Sequence, residues 1–316
     1  MAGVLVVAEV IDGALSPTSL ELLGAARQLS AQGAGQVTAF VAGNQFAQAL
    51  VAGGADAVVV GTGNYTTAET YLPAIDAALQ QSGADVVIVG QTSLGRDLGP
   101  GIAFRHKAGV AMDSGALKIE GGRLRATRSA YGGNARAEHT FRGNLQIVTV
   151  KPKQFDALAP DASRSGSITT TDAVGETKVK ILATEKASSE GVKIEDADVV
   201  VSGGRGLGDQ TGFKVLEDLA GLLKGAVGAS RAACDLGWYP PSQQVGLTGK
   251  VVSPTLYIAI AISGASQHMA GMAGSKNIVA INKDADSNMV KVARFAIVED
   301  YKKVVPALIE EIKKLP

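Results

Sequence analysis

Four short runs in the first hundred residues, VLVVAEV (4–10), QVTAFVAG (36–43), ADAVVVGT (55–62) and ADVVIVGQT (84–92), are apolar almost throughout. A strand with water on one face alternates polar and apolar residues, whereas one apolar at every position must be covered on both faces. The segments between these runs can supply the cover. SPTSLELLGAARQLSAQG carries Ser/Thr/Pro start signals and stops at Gly33, and helical spacing recurs over about 46–53 and 65–81. LGRDLGPGIAFRHKAG adds another helix. Strand, helix, strand in this order implies a parallel sheet with helices on both sides.

The texture changes over about 115–151, where LKIEGGRLRATRSAYGGNARAEHTFRGNLQIVTVKP alternates polar and apolar residues between glycine turns. This predicts antiparallel β structure appended to the parallel sheet. The polar stretch that follows, to about residue 192, reads as an extended connector, with a domain boundary near 190. A second α/β unit then begins. ADVVVSGG, AVGASR, TLYIAIAISG, NIVAIN and FAIVED are its strands, GFKVLEDLAGLLKG (212–225) is a helix, and 304–315 is the last helix, with Pro306 in its first turn. The expected fold is therefore α/β, with two Rossmann-like parallel-sheet domains, 1–190 and 191–316, the first bearing an antiparallel β segment.

Composition narrows the function. Thirty acidic residues balance thirty basic ones, so no general electrostatic grip on nucleic acid or anionic membrane is expected. Cys234 is the single cysteine, which excludes an internal disulfide and cysteine-based zinc clusters; burial as a small hydrophobe is its expected role. No run approaches the ~18 apolar residues of a membrane span, and MAGVLVVAEV lacks a basic leader. A soluble, cytoplasmic protein is the expectation.

In the second unit each strand ends in glycine beside a polar residue: SGGRGLG (202–208), GASRAACD (228–235), QVGLTGK (244–250), SGASQH (263–268), INKD (281–284), and Asp300 after the last strand. In a parallel sheet such loops gather along one rim, where ligands bind. Glycine admits close backbone approach, helix N-termini favour anions and serine adds hydroxyls, a combination suited to a diphosphate. One such loop is weak support, and GGRGLG is only a loose dinucleotide fingerprint; five within about a hundred residues favour a dinucleotide-type ligand. His268 is a structural histidine in isolation but a candidate ligand contact on this rim. Arg231 either pairs with Asp235 one turn on or contacts an anion. No GxSxG, HExxH or Walker A motif is present, which points to a protein that holds a cofactor rather than one that breaks bonds.

VVVSGGRGL, VGASRAACD, QVGLTGK, LYIAIAISGASQHMAGM, IVAINKD and VVPALIEEI together resemble the alpha subunit of electron transfer flavoproteins, densely over 196–316 and more loosely, through LGRDLGPGIA and AYGGNA, over 1–190. The resemblance implies a heterodimer in which the N-terminal domain meets a beta subunit and the C-terminal domain binds one FAD. AMP or a second FAD would belong to the beta subunit. Carried over by position, Arg205 and Ser230 would help fix the FAD and Arg231 would sit against the isoalloxazine. Gln244, Val245, Gly246, Leu247 and Thr248 would wrap the ring edge. Ser263, Gly264, Ala265, Ser266, Gln267 and His268 would follow the diphosphate, ribityl chain and ring. Asn282, Asp300 and Tyr301 would reach the adenosine end. Arg231 and His268 would offset negative charge on the reduced ring. Leu247 stands where many relatives have glutamine, so a side-chain hydrogen bond to the ring is lost there.

The family carries electrons from dehydrogenases, typically the acyl-CoA dehydrogenases of fatty acid β-oxidation, to a membrane quinone oxidoreductase. The expected role is thus an electron carrier rather than a substrate-converting enzyme, without membrane insertion. Two other readings remain open: an electron-bifurcating, NADH-oxidising flavoprotein, and an adenine-nucleotide-binding module with no redox role.

Overall fold

The computed structural model describes residues 1–131, 135–184 and 193–314. The boundary expected near residue 190 and the centre of AYGGNA lie outside these residues. The chain divides into two compact units, one built from Met1–Ala130 and Arg136–Glu185, the other chiefly from Lys186–Pro316.

The first unit runs β1 (Gly3–Val7), a small antiparallel ribbon β2 (Val10–Ile11) and β3 (Ala14–Leu15), α1 (Pro17–Leu29), β4 (Gln36–Ala42), α2 (Ala47–Ala52), β5 (Ala57–Gly61), α3 (Ala68–Ser82), β6 (Val86–Gly90), α4 (Ser93–Arg105), β7 (Gly109–Ser114), β8 (Ala116–Glu120), β9 (Arg123–Ala130), β10 (Ala135–Thr140), β11 (Gln146–Val150) and β12 (Ser167–Thr171). Seven strands form a parallel sheet in the order β12-β5-β4-β1-β6-β11-β7. Alternation along its strands explains their unbroken apolarity. Val4, Val6, Val86 and Ile88 enter one core with Leu22, Leu23 and Leu50 of α1 and α2. Leu5, Val7, Val87 and Val89 enter the opposite core with Ile75, Leu98 and Ile102 of α3 and α4. Each strand residue is thus buried whichever way it points.

Two sequence expectations are corrected here. Only β8, β9 and β10 form the appended sheet; β11, expected to be antiparallel, lies parallel inside the main sheet, Ile147 opposite Val87 on one side and Val110 on the other. The supposed connector is largely part of the first unit. Asp161 N donates to Ala52 O at 2.9 Å, Arg164 reaches Asp56 Oδ1 at 3.0 Å, and β12 pairs with β5 as an edge strand. Its threonine-rich SITTT is exposed, as an edge strand can be, and so lacked an apolar signature.

Glu9 sits just beyond β1, 7 % exposed, accepting from Thr92 Oγ1 at 2.6 Å. Burial raises its carboxyl pKa, so the fold favours the protonated form. Its contribution is then complete below the ordinary glutamate range and is lost as pH rises through the shifted value. Glu9→Gln is expected to raise the thermal midpoint at pH 8 and leave it nearly unchanged at pH 4. Equal shifts at both pH values in calorimetry would count against this.

The second unit runs β13 (Val199–Gly203), α5 (Gly212–Leu222), β14 (Ala226–Ala229), α6 (Arg231–Asp235), β15 (Leu256–Ile260), α7 (Ser266–Met272), β16 (Asn277–Asn282), α8 (Asn288–Val292), β17 (Phe295–Val298) and α9 (Tyr301–Ile312). Its parallel sheet is ordered β14-β13-β15-β16-β17. Val201, Ile258 and Ile281 pack with Leu216, Leu219 and Val305 of α5 and α9. Val200, Tyr257 and Ala280 face Met272 and Met289 of α7 and α8. The last helix begins three residues earlier than expected because Asp300 accepts from Lys302 N at 2.9 Å and caps it. Pro306 therefore lies inside the helix rather than in its first turn.

Candidate functional site

In chain order the second sheet reads 2-1-3-4-5, so its winding reverses between β13 and β15. In open parallel sheets the crevice beyond the carboxyl ends at that reversal is where ligands bind. Here the two flanking loops touch backbone to backbone. Gly204 N donates to Ile260 O at 3.0 Å and Gly206 N to Ala261 O at 3.3 Å. A Cβ on Gly204 would lie 2.2 Å from Ala261 O, so neither loop carries bulk into the crevice at that point. Gly264, with φ +79°, lies where a Cβ would be 2.4 Å from Met289 N. Immediately after it α7 begins. Its N-cap, Ala265, offers no side-chain acceptor, whereas Ser16, Thr92, Ser230, Ser287 and Asp300 cap α1, α4, α6, α8 and α9. The early N–H groups of α7 are thus left to an acceptor other than a cap.

The remaining loops lie to either side. Beyond β14, Ser230 accepts from Ala233 N at 3.4 Å and caps α6. Arg231 is 68 % exposed with its Nε 3.4 Å from Asp235 Oδ2, the helical pair that the spacing allows. The loop 244–250 joins β14 to α7: Val245 N donates to Ala229 O at 2.9 Å and Leu247 N to Gln267 O at 2.8 Å. Gly246 and Gly271 pack without side chains, since a Cβ on Gly271 would come within 2.4 Å of the Gly246 backbone. Gln244 Nε2 donates to Thr248 Oγ1 at 3.1 Å. Leu247 is 66 % exposed and engaged only through its backbone, while Val245 points into the core.

On the β16–β17 side, Asn282 Nδ2 donates to Ile262 O at 2.9 Å, tying two rim loops together. Asp300 accepts from Lys283 Nζ at 3.0 Å; the Lys302 N–H, with Lys283 after it, lowers its pKa. Tyr301 is buried and its hydroxyl donates to Leu207 O at 2.8 Å, so it braces the β13 loop instead of presenting a ring to the rim. Arg205, Ser263, Ala265, Ser266 and Gln267 are exposed on the rim loops. Five strands at about 4.8 Å spacing give a rim of about 19 Å, room for an extended two-part ligand.

His268 is the first buried residue of α7. It is 6 % exposed, and burial pushes its pKa down to about 4, against which the Val245 backbone acts weakly. The fold by itself thus favours the neutral imidazole. Its Nε2 lies 2.9 Å from the Tyr257 hydroxyl, and its Nδ1, though near the Val245 backbone, completes no well-formed hydrogen bond. Tyr257 was hidden in TLYIAIA. Its one signal is a phenol inside an apolar strand, where the hydroxyl must find a partner. Cys234 is buried and burial raises its thiol pKa, as a packing role requires. Among the described residues there is no metal-binding cluster of His, Cys, Asp and Glu, and no helix long and apolar enough to cross a membrane.

Comparison with known proteins extends the geometry. Residues 4–175 match the electron transfer flavoprotein domain, and residues 193–273 match the electron transfer flavoprotein FAD-binding domain. The chain is 42 % identical to the electron transfer flavoprotein subunit alpha of Thermoanaerobacterium thermosaccharolyticum, covering 98 % of this chain and 97 % of that one. It is 39 % identical to the subunit alpha of Bacillus subtilis (99 % and 98 % covered) and 38 % identical to that of Mycobacterium tuberculosis (99 % of each).

Proposed function

The chain belongs to the electron transfer flavoprotein family as an alpha subunit, and from that premise we propose that its second unit holds one FAD along the rim just described. The observation that carries this reading is the switch-point cradle, where Gly204 and Gly264 occupy positions a Cβ would fill and α7 starts without a side-chain cap. The residues present fit an anionic dinucleotide: open backbone and an uncapped helix start for the diphosphate, and an exposed arginine at each of two loops.

Bound FAD would supply reversible one- and two-electron chemistry. The chain's own residues bind and orient it. Ser263, Gly264, Ala265 and Ser266 would receive the diphosphate and ribityl chain, with Arg205 supplying charge. Arg231, the cation nearest the cap of α6, would face the ring, and its pairing with Asp235 sets how readily it turns. Gln244, Gly246, Thr248 and the backbone of Leu247 would border the ring edge, held against α7 by the Gly246–Gly271 approach. Asn282 and Asp300 would shape the adenosine end through the loops they tie, and Tyr301 through the β13 loop it braces.

In this reading the protein acts in the cytoplasm as a heterodimer with an electron transfer flavoprotein beta subunit, which carries AMP. It takes electrons from dehydrogenases, typically acyl-CoA dehydrogenases, and delivers them to a quinone oxidoreductase. Co-expression with the beta subunit and anaerobic reductive titration test this. One flavin per heterodimer, reduced in two resolved one-electron stages, is the expected result. Two flavins, one reduced directly by NADH, would move the assignment to the electron-bifurcating branch, and a colourless complex would overturn the FAD reading.

A further inference from the structure

The residue that follows β15 is an alanine in a glycine conformation. Ala261 has φ +55°, where a Cβ crowds the backbone and glycine fits far more readily. Between residues 193 and 314 one other non-glycine residue, Lys224, shares this region. Lys224 follows α5, where a left-handed residue is an ordinary way to close a helix. No helix ends at Ala261, and its conformation shows instead in the hydrogen bonds. In a regular strand a residue turns its N–H and its C=O to the same neighbour, and successive residues face alternate neighbours. Ile260 faces β13, its carbonyl accepting from Gly204 N at 3.0 Å, so both polar groups of Ala261 should face β16. The N–H does, donating to Ile281 O at 2.8 Å, but the carbonyl is turned the other way and accepts from Gly206 N at 3.3 Å. Ile262 is reversed in the opposite sense, its carbonyl accepting from Asn282 Nδ2 at 2.9 Å on the β16 side.

The reversed carbonyl sits in the cradle. A Cβ on Gly204 would lie 2.2 Å from Ala261 O, and one on Gly206 would lie 3.0 Å from it, so the two glycines of GGRG make room for this one oxygen. Past the turn the ladder stops. The backbone N–H groups of residues 262–267 find no acceptor among the described residues, whereas a strand running on in register would commit them to β13 and β16. We propose that Ala261 is a positioning residue for the cofactor. By holding the left-handed turn it ties the β13 loop to β15 and keeps the amides of residues 262–267 out of the sheet, open to a ligand at the switch point. Ala261 acts through these neighbours and not by touching the ligand. What the amides serve rests on the FAD reading above; the turn does not.

Substitution at 261 in the co-expressed heterodimer separates conformation from size. Asparagine and threonine add similar bulk, but asparagine enters the left-handed region readily and β-branched threonine is an outlier there. When flavin is removed and FAD titrated back, affinity is expected to fall in the order Ala261→Gly, Ala261→Asn, Ala261→Thr, with the threonine variant about tenfold or more below the asparagine variant. Thermal midpoints of the flavin-free heterodimers should follow the same order. In wild type, FAD should slow hydrogen exchange over residues 262–267. An asparagine variant as weak as the threonine variant would show that size decides, and would overturn the inference. So would a threonine variant as tight as wild type, or exchange over 262–267 that FAD leaves unchanged. Should Ala261→Thr fail to fold, Ala261→Ser takes its place. Serine is smaller than asparagine but less at home in the left-handed region, so tighter FAD binding by serine than by asparagine would overturn the inference. A wild-type heterodimer that takes up no FAD would defeat the FAD reading and the cofactor role with it, while the order of midpoints would leave the turn standing.

Discussion

Replacing Gly264 with valine is expected to strip flavin from the purified heterodimer while leaving the first unit folded. Two effects coincide at this residue. Its φ of +79° lies in the left-handed region, which costs an L-residue ~1–2 kcal/mol. The new Cβ would also stand 2.4 Å from Met289 N and 2.9 Å from Asn288 C. These are backbone atoms that cannot swing aside as a side-chain end can. Met289 N donates to Ser263 O at 3.3 Å, so relief of the collision parts α8 from the rim loop that leads into α7. A hundredfold loss of FAD affinity, about 2.7 kcal/mol, is the expected minimum. Gly237→Ala is the control. Gly237 also has positive φ, +73°, but a Cβ there meets nothing within 4 Å, so it carries the strain without the collision. It should keep its flavin and lose about 1 kcal/mol of stability. Visible absorbance per chain reads both variants, and full flavin in Gly264→Val would remove the loop from the cradle.

The second large effect is acid sensitivity from His268. Its pKa falls from the ordinary 6.5 to about 4 through burial. Below pH 6.5 the unfolded chain gains a proton that the folded chain refuses, so stability declines as pH drops from 6.5 towards 4 and this decline stops below 4. Two to three pKa units correspond to about 3 kcal/mol across the window. Trp238 is the only tryptophan and lies in the second unit, so its fluorescence in urea reports that unit's unfolding. His268→Gln should flatten the pH slope between 6.5 and 4 relative to wild type. Parallel slopes would show that His268 takes up its proton in the fold as readily as in the unfolded chain, against the effect of burial.

The fold was legible where burial is two-sided. Val86–Val89 could be nothing but a central strand, because no residue among them tolerates water. It was illegible where polar residues are buried or apolar ones are absent. β11 carries Gln146 and Thr149, 2 % and 0 % exposed, and follows three half-exposed strands, so its context suggested another hairpin. β12 is SITTT on an edge, and only its pairing with β5 reveals it. At the site the glycines and the turn at 263–268 could be read directly, since close approach leaves a compositional mark. The charge state of His268 could not, because it depends on the depth at which the ring is buried. Nor does the sequence tell that the Tyr301 hydroxyl turns inward to Leu207 O, a choice made by packing against the β13 loop.

That inward hydroxyl has a temporal consequence. Tyr301 opens the last helix and donates to the carbonyl of Leu207, 94 residues earlier. During synthesis the β13 loop emerges first and waits, unbraced, for nearly the whole of the second unit. A nascent chain halted between residues 264 and 301 has the glycines of the cradle but not the strut that holds their first loop, and closing so long a separation is slow. If the rim holds FAD as proposed, the cradle is complete only in the finished polypeptide and not in the growing one.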